Sequence, residues 1–191
     1  MDKERKNKKN KSKSMVEEIA IPAEVAAALN SFLHIKGPKG EEQRKFRGVK
    51  IIIKDKKIVV STAHSRRKER KILYTVKSHI KNMIQGVMEN FVYRLQICSI
   101  HFPMAVSVNK EKNVVVIKNF LGETKERTAK ILPNTDIKIE KEIIIVTGPN
   151  KESVGQTAAN IETATRIKAR DRRIFQDGIF IISKAGKEIG E

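Results

Sequence analysis

The chain has 191 residues, with 40 Lys and Arg against 22 Asp and Glu, giving a formal net charge of +18. Such an imbalance specifies an anionic partner and a salt-sensitive encounter rather than a fold. The lone cysteine, Cys98, excludes an intramolecular disulfide and speaks against a secreted, stapled scaffold, and no apolar run nears the ~18 residues of a membrane span. The length suits one domain or two small ones. With 5% aromatics and no Trp, the core has to be built largely from Ile and Val.

Residues 1–14 hold seven Lys or Arg beside Asp2 and Glu4, and nothing apolar after Met1. A segment of this kind cannot bury enough surface to offset its ordering entropy, so a basic extension is expected, disordered alone and ordered on a polyanion. No apolar stretch follows it, which argues against a signal peptide and for a cytosolic or nuclear protein. Val16 to Ile21 reads as a strand ended by Pro22. The Ala-rich residues 24–31 stay ambiguous, because their helical propensity conflicts with strand-like neighbours. Phe32 to Lys36 then leads into the turn Gly37-Pro38-Lys39-Gly40. Arg44 to Arg47, Val49 to Lys54 and Ile58 to Ser61 follow as short runs separated by turn residues, the pattern of an antiparallel sheet.

The clearest helix starts near Arg66. Ile72, Leu73, Val76, Ile80, Met83, Ile84 and Val87 recur at spacings of three and four, an apolar stripe suited to covering a sheet, flanked by Lys77 and Lys81. Leu95–Ile100, Ala105–Val108, Val114–Lys118, Lys125–Ile131, Asp136–Ile139 and Ile143–Thr147 read as further strands. Gly148-Pro149-Asn150 then opens a second helix with Asn150 as N-cap and Val154, Ala158, Ile161 and Thr165 inward. The basic stretch 166–173 and a last strand, Ile179 to Ser183, complete the chain.

Each half thus reads as a run of strands plus one helix, and a Gly-Pro pair ends a strand in both (Gly37-Pro38, Gly148-Pro149). The expected fold is α+β: two similar small domains, each an antiparallel-rich β-sheet covered by one main helix, arising from internal duplication. The domains are placed at residues 15–90 and 91–185, joined near Asn90–Tyr93, with 186–191 as a tail.

No chemistry for catalysis is apparent. His34, His64, His79 and His101 are scattered, and none stands at metal-ligand spacing from Cys98. Walker A, Rossmann and nucleophile-elbow patterns are absent. No catalytic, metal or cofactor site is expected, and no membrane or small-molecule partner. Gly37-Pro38-Lys39-Gly40 has the spacing of the KH-domain G-x-x-G loop, but that loop joins helices, and Pro38 lacks an amide for phosphate. A basic hairpin tip fits the flanking strands better.

Basic clusters carry the functional reading. Arg66-Arg67-Lys68-Glu69-Arg70-Lys71 stands at a helix start, where positive charge opposes the macrodipole and an external polyanion relieves it. Residues 166–173 hold Arg166, Lys168, Arg170, Arg172 and Arg173 against Asp171 alone. Arginine forks grip phosphate bidentately, and with few aromatics nearby, recognition of folded RNA by shape and phosphate is favoured over single-strand stacking. The alternative is a free basic RNA- or DNA-binding regulatory protein using the same patches.

Motifs spread over roughly residues 16–185 resemble one family. Ile21-Pro22, Ile35 to Gly40, Thr75 to Val87, Tyr93-Arg94, His101-Phe102-Pro103, Lys118-Asn119-Phe120-Leu121-Gly122-Glu123 and Asp171 to Ile181 are similar to the universal large-subunit ribosomal protein six family. The archaeal/eukaryotic type, eukaryotic large-subunit protein nine, is the nearer one. Residues 24–31 depart from it, being Ala-rich where the family has a Gly-containing turn, as does the extension before Val16. The resemblance implies a structural constituent of the large ribosomal subunit. It would bind ribosomal RNA near the sarcin–ricin loop and stalk base beside neighbouring large-subunit proteins. Its location would be the cytoplasmic ribosome, with nucleolar passage in a eukaryote. It also implies that the C-terminal domain makes the main RNA contacts, so Arg166, Lys168, Arg170, Arg172 and Arg173 lead the candidates. Arg66, Arg67, Lys68 and Arg70 follow, and Lys39, Arg127 and His101 complete the set.

Overall fold

A computed structural model of the protein describes residues 14–54 and 56–189. The extension expected over residues 1–14 therefore lies, Ser14 apart, outside the described residues. The chain divides into two units, one ending at Ile84 and the other starting at Gln85.

In the first unit, β1 (Met15–Ala20) pairs antiparallel with β6 (Lys57–Thr62), which pairs with β5 (Lys50–Lys54). A second sheet is the meander β2 (Ala26–Leu29), β3 (Leu33–Gly37) and β4 (Gly40–Arg44). Period-two alternation sends Ile58 and Val60 of β6 and Leu33 and Ile35 of β3 inward, where they are buried. The helix α1 (Arg67–Met88) buries Leu73, Val76, Ile80, Met83, Ile84 and Val87, the stripe read from the sequence. Ile72 is the exception and stays exposed. Glu17 of β1 accepts from Lys77 of α1 at 2.5 Å, tying strand to helix, and this bond holds the Glu17 carboxyl below its usual pKa.

The ambiguous Ala-rich segment is strand β2, in full register with β3 from Ala26↔Lys36 to Leu29↔Leu33. Its helical propensity is overridden because its neighbours commit the chain to a hairpin. The strand expected at Arg44–Arg47 instead runs Gly40–Arg44. Gly-Glu-Glu-Gln-Arg shows no apolar alternation, and only the turn delivers it opposite β3, with Gly37 facing Gly40. Gly37-Pro38-Lys39-Gly40 is thus a hairpin tip, not a helix-joining loop.

In the second unit, β7 (Phe91–Cys98) pairs with β12 (Ile143–Gly148), which pairs with β11 (Asp136–Glu140). The meander here is β8 (Ala105–Asn109), β9 (Val114–Lys118) and β10 (Arg127–Lys130), and α2 (Lys151–Ala164) follows β12 as α1 follows β6. One strand, a three-strand meander, a hairpin returning to the first strand, then a helix: both units share this plan. The fold is α+β with antiparallel sheets, and the order of pairing displays the duplication. The Gly-Pro pairs do not. Gly37 lies in the meander while Gly148 ends the strand before the helix, so they are not equivalent positions.

Tyr93, Leu95, Ile97, Val115, Ile117, Phe120, Ile144, Val146, Val154, Ala158, Ile161 and Ile179 form the core of this unit. Asn150 caps α2, its Oδ1 accepting from the Glu152 and Ser153 amides at 2.8 and 3.1 Å. Gly86 is required where the last turn of α1 meets the chain ahead of α2. A methyl added there would fall on the Pro149 carbonyl oxygen and 2.9 Å from the Phe91 ring. Beyond the repeated plan, β13 (Gly178–Lys184) adds antiparallel to the free edge of β7, with a bulge between Ile181 and Ser183. A short β14 (Lys187–Glu188) pairs with it in the expected tail.

Candidate nucleic-acid interface

Residues 166–177 connect α2 to β13, and every leading candidate side chain (Arg166, Lys168, Arg170, Arg172, Arg173) is exposed on this loop. Its two ends are pinned by buried polar residues. Thr165, at the helix C-cap, donates to the Glu162 carbonyl at 3.2 Å, and its hydroxyl accepts from the Ile179 amide at 3.0 Å. Asp177 is 1% exposed. Its carboxylate accepts from the Ile100 and His101 amides at 2.6 and 2.9 Å and meets His101 Nδ1 at 2.5 Å. Burial raises the Asp177 pKa, but these bonds together outweigh it, and the group lies below the usual aspartate value. The anchors are thus a buried hydroxyl and an ionised, saturated carboxylate.

Between the anchors the loop is internally ordered. Asp171 accepts from the Arg173 amide at 2.9 Å through Oδ1, and through its carbonyl from the Ile174 and Phe175 amides. Phe175 meets the Arg170 guanidinium at 4.9 Å and the His101 ring at 5.2 Å. Arg170 is thus held by its guanidinium against an aromatic ring, while the residue remains exposed.

The two motifs around Pro103 and Phe120 meet beside this loop. Asn119 Nδ2 donates to the Pro103 carbonyl at 3.0 Å, and the Phe102 ring lies 3.5 Å from where a Gly122 side chain would begin. Positive φ at Asn119, Leu121 and Gly122 (57°, 51° and 76°) produces the tight turn that buries Phe120 and Leu121. Arg127 closes the arrangement. Its Nε and Nη2 donate to Glu123 at 2.8 and 2.6 Å, and its Nη1 to the carbonyls of Ala164 and Arg166 at 2.9 and 3.4 Å. The guanidinium also lies 4.2 Å from the Phe120 ring centre. The hydrogen bonds from Arg127 hold the Glu123 carboxyl below its usual pKa.

The structure therefore brings together Arg166, Lys168, Arg170, Arg172, Arg173, Arg127 and His101, but in two roles. The loop cations face solvent, whereas Arg127 and His101 spend their donors on the scaffold. Arg127 also satisfies carbonyls at the end of α2 that the helix itself leaves unpaired. The remaining candidates lie in the first unit: exposed Arg66, Arg67, Lys68 and Arg70 at the start of α1, and exposed Lys39 at the β3–β4 hairpin tip. Thr165, Asp177 and Glu123 do not stand out in the sequence as site residues. Asp177 owes its role to His101, 76 residues away, and no local signal announces that pairing.

Among known proteins, the family profile described as "Ribosomal protein L6" matches residues 21–90 and 102–178. The chain belongs to the ribosomal protein L6 family. It is 47% identical over 171 residues to "Large ribosomal subunit protein uL6" of Methanobrevibacter smithii, spanning 88% of this chain and 95% of that protein. It is likewise 47% identical over 174 residues to the protein of that name from Methanococcus vannielii, spanning 90% of this chain and 94% of the relative. Both relatives are archaeal, in keeping with the archaeal/eukaryotic type. As an L6-family member the chain is a structural ribosomal protein and not an enzyme. Three of the segments that carry the resemblance, His101–Pro103, Lys118–Glu123 and Asp171–Ile181, converge around the α2–β13 loop.

Proposed function

We propose that this protein is a structural constituent of the large ribosomal subunit, binding ribosomal RNA near the sarcin–ricin loop and stalk base among neighbouring large-subunit proteins. The α2–β13 loop supplies the principal contact. The observation that carries this reading is the placement of five exposed cations on one loop whose conformation is fixed by Thr165, Asp177 and Arg127. A preordered loop loses little conformational entropy on binding, so charge and arginine geometry convert into affinity. RNA helices converging on such a loop are neutralised and held in one arrangement. The α1 start, with Arg66, Arg67, Lys68 and Arg70, is a second contact, and Lys39 a third. The basic charge of residues 1–14 adds to the contact with the RNA.

Sedimentation tests the assignment. A tagged chain followed through sucrose gradients at ordinary and raised salt is expected to stay with large subunits and polysomes. Release at moderate salt, or migration in light fractions, would instead mark a free nucleic-acid binder. Replacing Arg166, Lys168, Arg170, Arg172 and Arg173 by Gln should flatten the dependence of log affinity on log salt by about 0.7–0.9 for each phosphate no longer neutralised. Deleting residues 1–14 should lower salt resistance in the same assay.

A further inference from the structure

Beside the basic loop lies a cleft of about 630 Å³, within the range of sites that enclose an organic ligand. Cys98, Ile100, Phe175 and Phe180 line it with apolar surface, and Arg166 and Arg172 also border it. Phe180 is 36% exposed, and its ring lies over Gly178, where an added Cβ would stand 3.0 Å from it. The missing side chain at Gly178 lets that ring settle flat along the sheet. Glu162 and Gln176 add two acceptor-bearing groups to the wall, beside the Asp177 carboxylate already engaged by Ile100 and His101. Glu162 Oε1 takes the Ile181 amide at 3.3 Å and Gln176 Nε2 donates to the Arg173 carbonyl at 3.2 Å, so both are held in place by backbone.

We infer that this cleft takes one unstacked nucleotide of the bound RNA, its base against Phe180 and its phosphate on Arg166 and Arg172. The inference rests on the reading of the loop as an RNA contact and deepens it. A phosphate alone has no use for an apolar wall, and an apolar ligand has no use for two arginines. A nucleotide presents both a flat π-face and an anion. Phe175 is engaged by Arg170 and His101, which leaves Phe180 as the stacking ring. The Glu162 carboxylate accepts hydrogen bonds and suits bases carrying amino donors. A single cleft differs from the extended aromatic platform of single-strand binders, and accords with a chain of few aromatics.

The chain's only cysteine lies in the cleft and reports its occupancy. Burial raises the Cys98 pKa, with help from Glu142 and Asp177, so alkylation of the full chain by iodoacetamide is followed at mildly alkaline pH. Millimolar GMP is expected to slow it severalfold, and ribose 5-phosphate at the same concentration is not. Equal protection by the two probes, or none by GMP, overturns the proposal. Phe180→Leu, which keeps an apolar side chain over Gly178 without a ring, should weaken binding to large-subunit ribosomal RNA by roughly five- to tenfold, the low end for removing a base–aromatic stack. Its salt dependence should be unchanged. Unchanged affinity in this variant also overturns the proposal. Arg172→Gln separates the two readings: it should reduce the salt slope by about 0.7–0.9 whether or not the cleft is occupied. If neither variant alters RNA binding, the reading of the loop as an RNA contact fails as well.

Discussion

Arg127→Ala distinguishes a residue that would itself bind phosphate from one that holds the loop proposed to bind RNA. The side chains of Arg127 and Glu123 are 25% and 40% exposed, so solvent screening leaves their bidentate pair about 1 kcal/mol at most. The bonds to the Ala164 and Arg166 carbonyls contribute about 1 kcal/mol more, and the Phe120 contact about 0.5–1 kcal/mol. A loss of about 2–3 kcal/mol is therefore expected, or on the order of 10 °C in the Tm of a unit of this size. Arg127→Lys should recover only part of it, because an ammonium cannot reproduce the planar fork. RNA affinity should fall in both variants as the loop loses its tether at Ala164. Titrations at several salt concentrations decide the mechanism. An unchanged salt slope with lowered Tm is the expected result. A slope reduced by about 0.7–0.9 with Tm intact would instead show that Arg127 binds phosphate directly.

Packing and titration in the second unit give further expected outcomes. Gly86→Ala, which in an open helix would stabilise by about 0.5–1 kcal/mol, should here destabilise by about 1–3 kcal/mol, since the methyl meets the Pro149 carbonyl; a raised Tm would contradict that packing. The depressed pKa of Asp177 means its stabilisation is present above the unfolded-state value and lost as pH falls through the lower folded one. Denaturant titrations below about pH 4 should therefore show wild-type stability falling, and Asp177→Asn falling less over that window, from a lower starting point. Parallel profiles for the two proteins would show that Asp177 is not the acid-sensitive anchor.

Much of the fold is legible because its strands and helices carry their own periodicity. Val114–Lys118 and the α1 stripe announce themselves by apolar alternation and by spacings of three and four. β4 is hard to place from sequence because Gly40–Arg44 is polar throughout, and only its hairpin turn specifies it. β2 is ambiguous because Ala favours a helix where pairing with β3 decides the matter. The two-unit plan is visible in the sequence as strands followed by a helix, twice. The Gly-Pro pairs that point to duplication coincide by accident, while its real signature, the shared order of strand pairing, lies in topology and not in any motif. In the candidate interface, charge density exposes the loop cations, and the family resemblance ranks them. What sequence cannot supply is the division of labour. Arg127 reads as one more cation in a basic chain until its partners at Glu123, Ala164 and Phe120 are seen. The cleft is equally hidden, because Cys98, Glu162 and Phe180 meet only after β13 adds to the edge of β7.

The most direct test of the central claim is protein–RNA cross-linking in purified large subunits, with the cross-linked peptides and nucleotides both identified. Cross-links are expected from residues 166–173 to ribosomal RNA around the sarcin–ricin loop. A large subunit that contains the chain but shows this loop cross-linked to no RNA, while other surfaces are, would contradict it.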